Sequence, residues 1–186
     1  MALTRIGLNQ SINLASNVTG TLPVANGGTA LTSGFINGTS TPGKVLQIVQ
    51  ARPTTETSTT NSSFQATGTE VAITPSATSS KIFVLVTSGL FWANSTSSSA
   101  RGGTATIYRD STNLGLSGSG WMVRTYRTNS SASIQTSAAM SVLDSPSSTS
   151  ELTYKCYIAS TFGGDTIQWN SSSNDVAVIT AMEIAG

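Results

Sequence analysis

Histidine is absent from this 186-residue chain. That absence removes the usual general base, the serine–histidine pairing and the commonest metal ligand together. The one cysteine, Cys156, excludes an intrachain disulfide and a cysteine-rich zinc site. It falls in phase with Leu152, Tyr154 and Ile158, and so reads as a small buried hydrophobe rather than a reactive thiol. Charge is scarce as well: 9% of residues are charged and the formal net charge is +1. The nine basic residues are scattered from Arg5 to Lys155, and even Arg101, Arg109, Arg124 and Arg127 are too sparse for a phosphate-binding patch. Nucleic acid is therefore not an expected partner. No apolar run approaches the ~20 residues that cross a bilayer as a helix, so no membrane insertion is expected. Met1–Gln10 lacks a basic stretch followed by an apolar one, which argues against a secretory signal and for synthesis in a cytoplasm.

Hydroxyl side chains take the place of charge. Serine and threonine make up roughly a third of the chain, well above ordinary usage. With 38% hydrophobic residues and almost no net charge, the composition does not suggest disorder. Hydroxyls suit the solvent faces of strands and the turns between them, which points to an all-β structural protein.

The chain divides near Gly43. Residues 1–43 hold few strand-like runs and are punctuated by turn signals at Gly34, Asn37-Gly38 and Pro42-Gly43. The Asn9–Ser16 pattern is too brief to define a helix. This part reads as an extended arm. From residue 44 to 186 the period becomes that of strands, spaced by Ser/Thr/Asn/Gly turns, as in an antiparallel β-sandwich of jelly-roll type. Lys44–Ala51 reads as an internal strand because both its faces are apolar. Thr69–Thr74 alternates and stops at Pro75; Lys81–Val86 reads as buried on both faces, continuing toward Ala93 through a bend at Gly89. Further strands are expected at Thr104–Asp110, Gly120–Arg127, Ile134–Leu143, Glu151–Ser160 and Asp165–Asn170. A central closing strand is expected in Asp175–Ala185. The Ser/Thr clusters at Thr54–Ser63, Ser95–Ser99, Ser145–Ser150 and Ser171–Ser173 read as loops.

Little catalytic equipment is visible. Lys44, Lys81 and Lys155 lie at or in strands without an S-x-x-K context. The eight carboxylates, Glu56, Glu70, Asp110, Asp144, Glu151, Asp165, Asp175 and Glu183, fall mostly in turns or at strand ends and read as solvated. A glycosidase would need two of them facing across ~5–10 Å. The Asp110-Ser111-Thr112-Asn113 run offers calcium one carboxylate and weak oxygens. No enzyme, cofactor or metal is expected. The aromatics remain. Trp92, Trp121 and Trp169 with Tyr126 and Tyr157 offer faces on which a sugar could stack. The alternative is that each tryptophan fills the core or a subunit interface; it weighs more for Trp121 and Trp169 than for Trp92, which borders the Asn94–Ser99 loop.

In the arm, Thr19–Leu31 reads TGTLPVANGGTAL. Pro23 fixes φ and removes a donor, while Gly27 and Gly28 accept positive φ freely. Leu22, Val24 and Leu31 bury too little surface alone to offset their ordering entropy, so order here is expected where sister chains or a larger assembly cover them. The string resembles a short module of bacteriophage fibre proteins, with Ala30 at a position usually held by glycine. A second stretch, GKVLQIVQA followed by VAITPSATSSKIFVLV, resembles a β domain of phage and marine viral structural proteins. These resemblances imply a non-enzymatic virion protein displayed as a homotrimer. Leu22, Pro23, Val24, Asn26, Gly27, Gly28 and Leu31 would be the assembly contacts toward other virion proteins of the tail or capsid. The expected function is a tail or short fibre whose knob touches host-surface glycan through Trp92, Trp121 and Tyr126. A capsid decoration or head-fibre protein and a free carbohydrate-binding domain are the competing expectations.

Overall fold

Residues 43–95, 102–115, 118–127, 132–172 and 174–186 are described by a computed structural model of the chain. The arm residues from Leu22 to Leu31 and the Asn9–Ser16 segment lie outside them.

Thirteen antiparallel strands follow one another: β1 Val45–Ala51, β2 Thr57–Thr59, β3 Gln65–Ile73, β4 Lys81–Thr87, β5 Phe91–Ser95, β6 Gly103–Arg109, β7 Thr112–Asn113, β8 Val123–Arg124, β9 Ala132–Thr136, β10 Ala139–Asp144, β11 Leu152–Ser160, β12 Thr166–Trp169 and β13 Val178–Ile184. No helix occurs among the described residues. The pairing has a simple rule. β1 pairs with β13, β2 with β12, β3 with β11, β4 with β10, β5 with β9 and β6 with β8, while β7 turns back on β6 at the tip. The described chain is thus one long antiparallel ribbon. Rolling the ribbon adds the second set of pairs, β4 with β13, β5 with β12 and β6 with β11.

Three sheets result, ordered β1-β13-β4-β10, β2-β12-β5-β9 and β3-β11-β6-β7. The first two repeat the same order because each strand of one runs on into the other, forming a single four-stranded sheet with a crease. The crease crosses residues that cannot continue a ladder. Pro53 lacks a donor, and Gly89 admits a close approach: a Cβ there would stand 2.5 Å from that of Asp175. Buried Asn170, in left-handed backbone at φ 52°, ties the crease together. Its Nδ2 donates to the Pro53 carbonyl at 3.1 Å and its Oδ1 accepts from Gly89 N–H at 3.3 Å. Joined end to end, and with the two-residue β7 set aside, the strands number eight and wind as a jelly roll, a double-sheet sandwich.

The core lies between the creased sheet and the β3–β11–β6 sheet. Ile82, Val84, Val86, Phe91, Ala105, Ile107, Tyr154, Cys156, Ile158, Ile167, Trp169, Ile179 and Ala181 are all wholly buried. The Leu152-Tyr154-Cys156-Ile158 alternation points inward as expected, and burial pushes the Cys156 thiol far up, out of its reactive range. Two polar ties join the layers. Trp169 Nε1 donates to Thr69 Oγ1 at 2.9 Å, and Asp144 accepts from Arg109 Nη1 at 2.7 Å and from the Tyr154 hydroxyl at 2.7 Å.

Several expectations need correction. β1 is an edge strand, although both of its faces are apolar. β4 is buried on one face only: Leu85 remains 37% exposed. Gly120–Arg127 contributes just the two residues of β8, since Gly120 takes φ 64° and Thr125 turns its hydroxyl back to Gly103. The Thr54–Ser63 cluster contains β2, and β3 begins four residues earlier than Thr69, at Gln65. The closing strand β13 does lie centrally, between β1 and β4.

Nor is every carboxylate a solvated turn residue. Glu183 is 1% exposed and Asp165 2%. Glu183 Oε1 accepts from Ser76 N–H at 2.7 Å, Ser76 Oγ at 2.6 Å and Ser80 Oγ at 2.7 Å, while Oε2 accepts from Gln47 Nε2 at 2.6 Å. Burial raises this carboxyl's pKa, but the four donors outweigh it and hold the pKa down at about 2. The serines of the ITPSATSSKI stretch therefore have a structural duty: they clamp the β3–β4 turn onto the closing strand.

Candidate functional site

A pair of adjacent glycines builds the most chemically distinctive surface. Gly102 allows backbone to approach backbone so closely that a Cβ there would stand 1.9 Å from the Thr125 carbonyl oxygen. Thr125 N–H donates to the Gly103 carbonyl at 2.8 Å, and Thr161 N–H donates to the Gly102 carbonyl at 2.9 Å. Buried Asp165 accepts from Gly102 N–H at 3.3 Å. This hub holds the segment carrying Arg124 and Tyr126 beside the turn carrying Phe162. The turn closes through Gly163 and Gly164, at φ 78° and 83°, which side chains adopt poorly.

Arg124 is the centre of the cluster. Its guanidinium carbon lies 4.7 Å from the Trp121 ring centroid, 4.5 Å from Tyr126 and 5.9 Å from Phe162. Tyr126 and Phe162 are tilted at 6.1 Å, each 49% exposed. Stacking on rings stabilises the cation by about 0.5–1 kcal/mol per contact at an exposed site and leaves its planar edge of N–H donors toward solvent. No carboxylate among the described residues pairs with Arg124. Trp121 also lines a groove of about 330 Å³, together with Leu114, Met122 and the β10 residues Ala139, Met140, Ser141 and Val142. A volume of that size lies at the lower end of small-ligand sites. Apolar ring faces next to a fixed cation and hydroxyls suit a sugar, whose C–H faces stack while its hydroxyls or acidic groups take hydrogen bonds.

The structure brings Trp121 and Tyr126 together and leaves Trp92 apart. Trp92 sits half-buried on β5, in register with Gln168 and Gln135, and makes no ring contact with the other two. Trp169 is core, in edge contact with Phe91 at 6.0 Å. Tyr157 instead stacks on Tyr108 at 4.1 Å, with Phe64 edge-on to Tyr108 at 6.0 Å. Sequence reasoning passed over Arg124 and Phe162. The available signal was local: an arginine between two aromatics, and a phenylalanine directly before a Gly-Gly turn.

The Asp110–Asn113 run is a hairpin tip. Asp110, at φ 52°, accepts from Thr153 N–H at 2.9 Å, and Asn113 Oδ1 accepts from Thr106 Oγ1 at 2.9 Å and Gly115 N–H at 2.8 Å. Among the described residues no group of three His, Cys, Asp or Glu could hold a metal ion. No helix among them is long and apolar enough to cross a membrane.

No protein-family model matches the chain, and no curated protein matches it.

Proposed function

We propose that this chain is a non-enzymatic structural protein of a bacteriophage particle: a trimeric tail or short fibre, attached through residues 1–43, whose sandwich acts as a knob that touches host-surface glycan. One observation carries the reading. A jelly roll whose ITPSATSSKI serines clamp its β3–β4 turn follows directly on a core-poor stretch that bears the TGTLPVANGGTA string. The string's resemblance to fibre modules supplies the virion, and the poverty of that stretch in core residues supplies the need for sister chains. The glycan part rests on Arg124 between Trp121 and Tyr126, beside the groove.

Particles bearing an antibody against the sandwich test the location. Label at the tail is the expected image; label on the head assigns the chain to capsid decoration instead, and unlabelled particles overturn the virion reading. Adsorption tests the knob. The soluble full chain should compete with phage for host cells, and Trp121→Ala or Tyr126→Ala should weaken that competition about tenfold, the effect of losing ~1.4 kcal/mol. Unchanged competition by both variants removes the glycan role from this cluster.

A further inference from the structure

One row of apolar side chains crosses the outer face of the β1–β13–β4–β10 sheet from edge to edge. It sets Ile48 beside Met182, Met182 beside Phe83 and Phe83 beside Leu143. The row behind it sets Leu85 among the uncharged polar residues Gln50, Thr180 and Ser141, and Val45 stands beside Ile184 at the other end. Ile48 is 60% exposed, Leu143 52% and Val45 47%, and no described element lies over them. Four strands about 4.8 Å apart and three rows about 6.8 Å apart define roughly 400 Å² of nearly uncharged surface. A patch of about that size is often functional. By contrast, the outer face of β3 and β11 carries the charged pair Glu70 and Lys155 directly opposite each other.

We propose that this face is where copies of the chain meet, each copy seating part of it against its neighbours around a common axis. The occupant is a second copy for two reasons. The face carries a single charge, Lys81 at its rim, so two like faces meet without opposing like charges. The 42 residues ahead of Gly43 join the chain at the same sheet, where Gly43 N–H donates to the Ala185 carbonyl at 2.8 Å beside the edge strand β1. Copies gathered on this face therefore gather the starts of their arms. A patch near 400 Å² is about half of the ~800 Å² per partner of a standard stable interface, the size of a contact that dilution dissociates. The inference rests on the trimeric reading above and names the surface that serves it.

Sedimentation of the full chain tests it, with Ile48→Glu and Leu143→Glu as disrupting variants and Ala72→Glu, on the outer face of β3, as control. The wild type and the control should sediment at three times the chain mass. Each disrupting variant should raise the dissociation constant about tenfold or more, with its circular dichroism unchanged, since both side chains are exposed in the single chain. A trimer that survives both substitutions overturns this inference and leaves the fibre reading standing; a monomeric wild type overturns both. Hydroxyl-radical labelling of the wild type needs no variant. Phe83, Met182 and Leu143 should gain label on dilution while Phe162 does not; equal labelling of those three at every concentration overturns the proposal.

Discussion

Glu183 shows how a single side chain can fix a turn that its sequence neighbours only suggest. Its carboxylate gathers the Ser76 amide and hydroxyl, the Ser80 hydroxyl and the Gln47 amide at 2.6–2.7 Å in a site 1% exposed. A buried charge without such donors would cost several kcal/mol; with them it becomes a clamp. Replacing it with glutamine turns one acceptor oxygen into a donor facing Gln47. Glu183→Gln should therefore destabilise the sandwich by about 2 kcal/mol at neutral pH, as expected for hydrogen bonds to a charged group. The pH dependence carries a sign. Because the folded-state pKa lies below the ordinary 4.5, the ionised carboxylate's contribution is full above that value and disappears as pH falls toward about 2. Urea midpoints of the wild type and the variant should therefore converge between pH 4.5 and 2. A constant gap across that range would mean that Glu183 stabilises by shape rather than by charge. The sequence places Glu183 at a strand end and says nothing of Ser76 and Ser80, because the contact spans more than a hundred residues and exists only once β13 lies beside the β3–β4 turn.

At the scale of elements, the crease divides four long strands in two, and with the short tip strand β7 this turns eight strands into thirteen. Asn170 holds it by bridging the Pro53 carbonyl and the Gly89 amide while sitting at φ 52°. Alanine there loses both bonds and meets the left-handed penalty of about 1–2 kcal/mol; glycine loses the bonds alone. Asn170→Ala should cost about 3 kcal/mol and Asn170→Gly about half of that, read as shifts in urea midpoint at constant slope. Equal losses would show that the bonds, and not the backbone, carry the crease. Legibility followed what each strand has on its two sides. β11 was readable because one face is core and the other solvent. β1 and β4 misled because apolar alternation reports hydrophobicity and not the layer that covers it: Ile48 and Leu85 look like core and are surface. β2 was hidden in a Thr/Ser run because three residues give no period. The aromatic cluster was half readable. Trp121 and Tyr126 stood out by type; the Gly163-Gly164 pair marks Phe162 as a turn residue, but only the long-range Thr161–Gly102 contact sets it beside Tyr126.

For the whole molecule, the ribbon pairing sets an order of assembly. Its tip is local, Arg109 opposite Thr112, whereas its open end joins Val45 to Ile184 across most of the sandwich. Loop-closure entropy grows with separation, so pairing should start at the tip and zip toward the ends, and a sandwich so rich in non-local pairs should fold in milliseconds to seconds. Two substitutions separate the ends of that process. Asn113→Ala removes the acceptor of Thr106 and Gly115 at the tip, and Val49→Ala thins the inward packing of β1. Each should cost about 1 kcal/mol, enough for rates to be partitioned reliably. Stopped-flow refolding should show Asn113→Ala slowing folding and Val49→Ala mainly speeding unfolding. The reverse pattern would mean that the chain ends meet first. Tip-first closure has a functional consequence: the β1–β13 pair completes the apolar sheet face last, so the surface proposed to join copies exists only after the rest of the sandwich is built. Association should then follow folding as a separate, concentration-dependent phase, and one concentration-independent phase for both events would exclude that order.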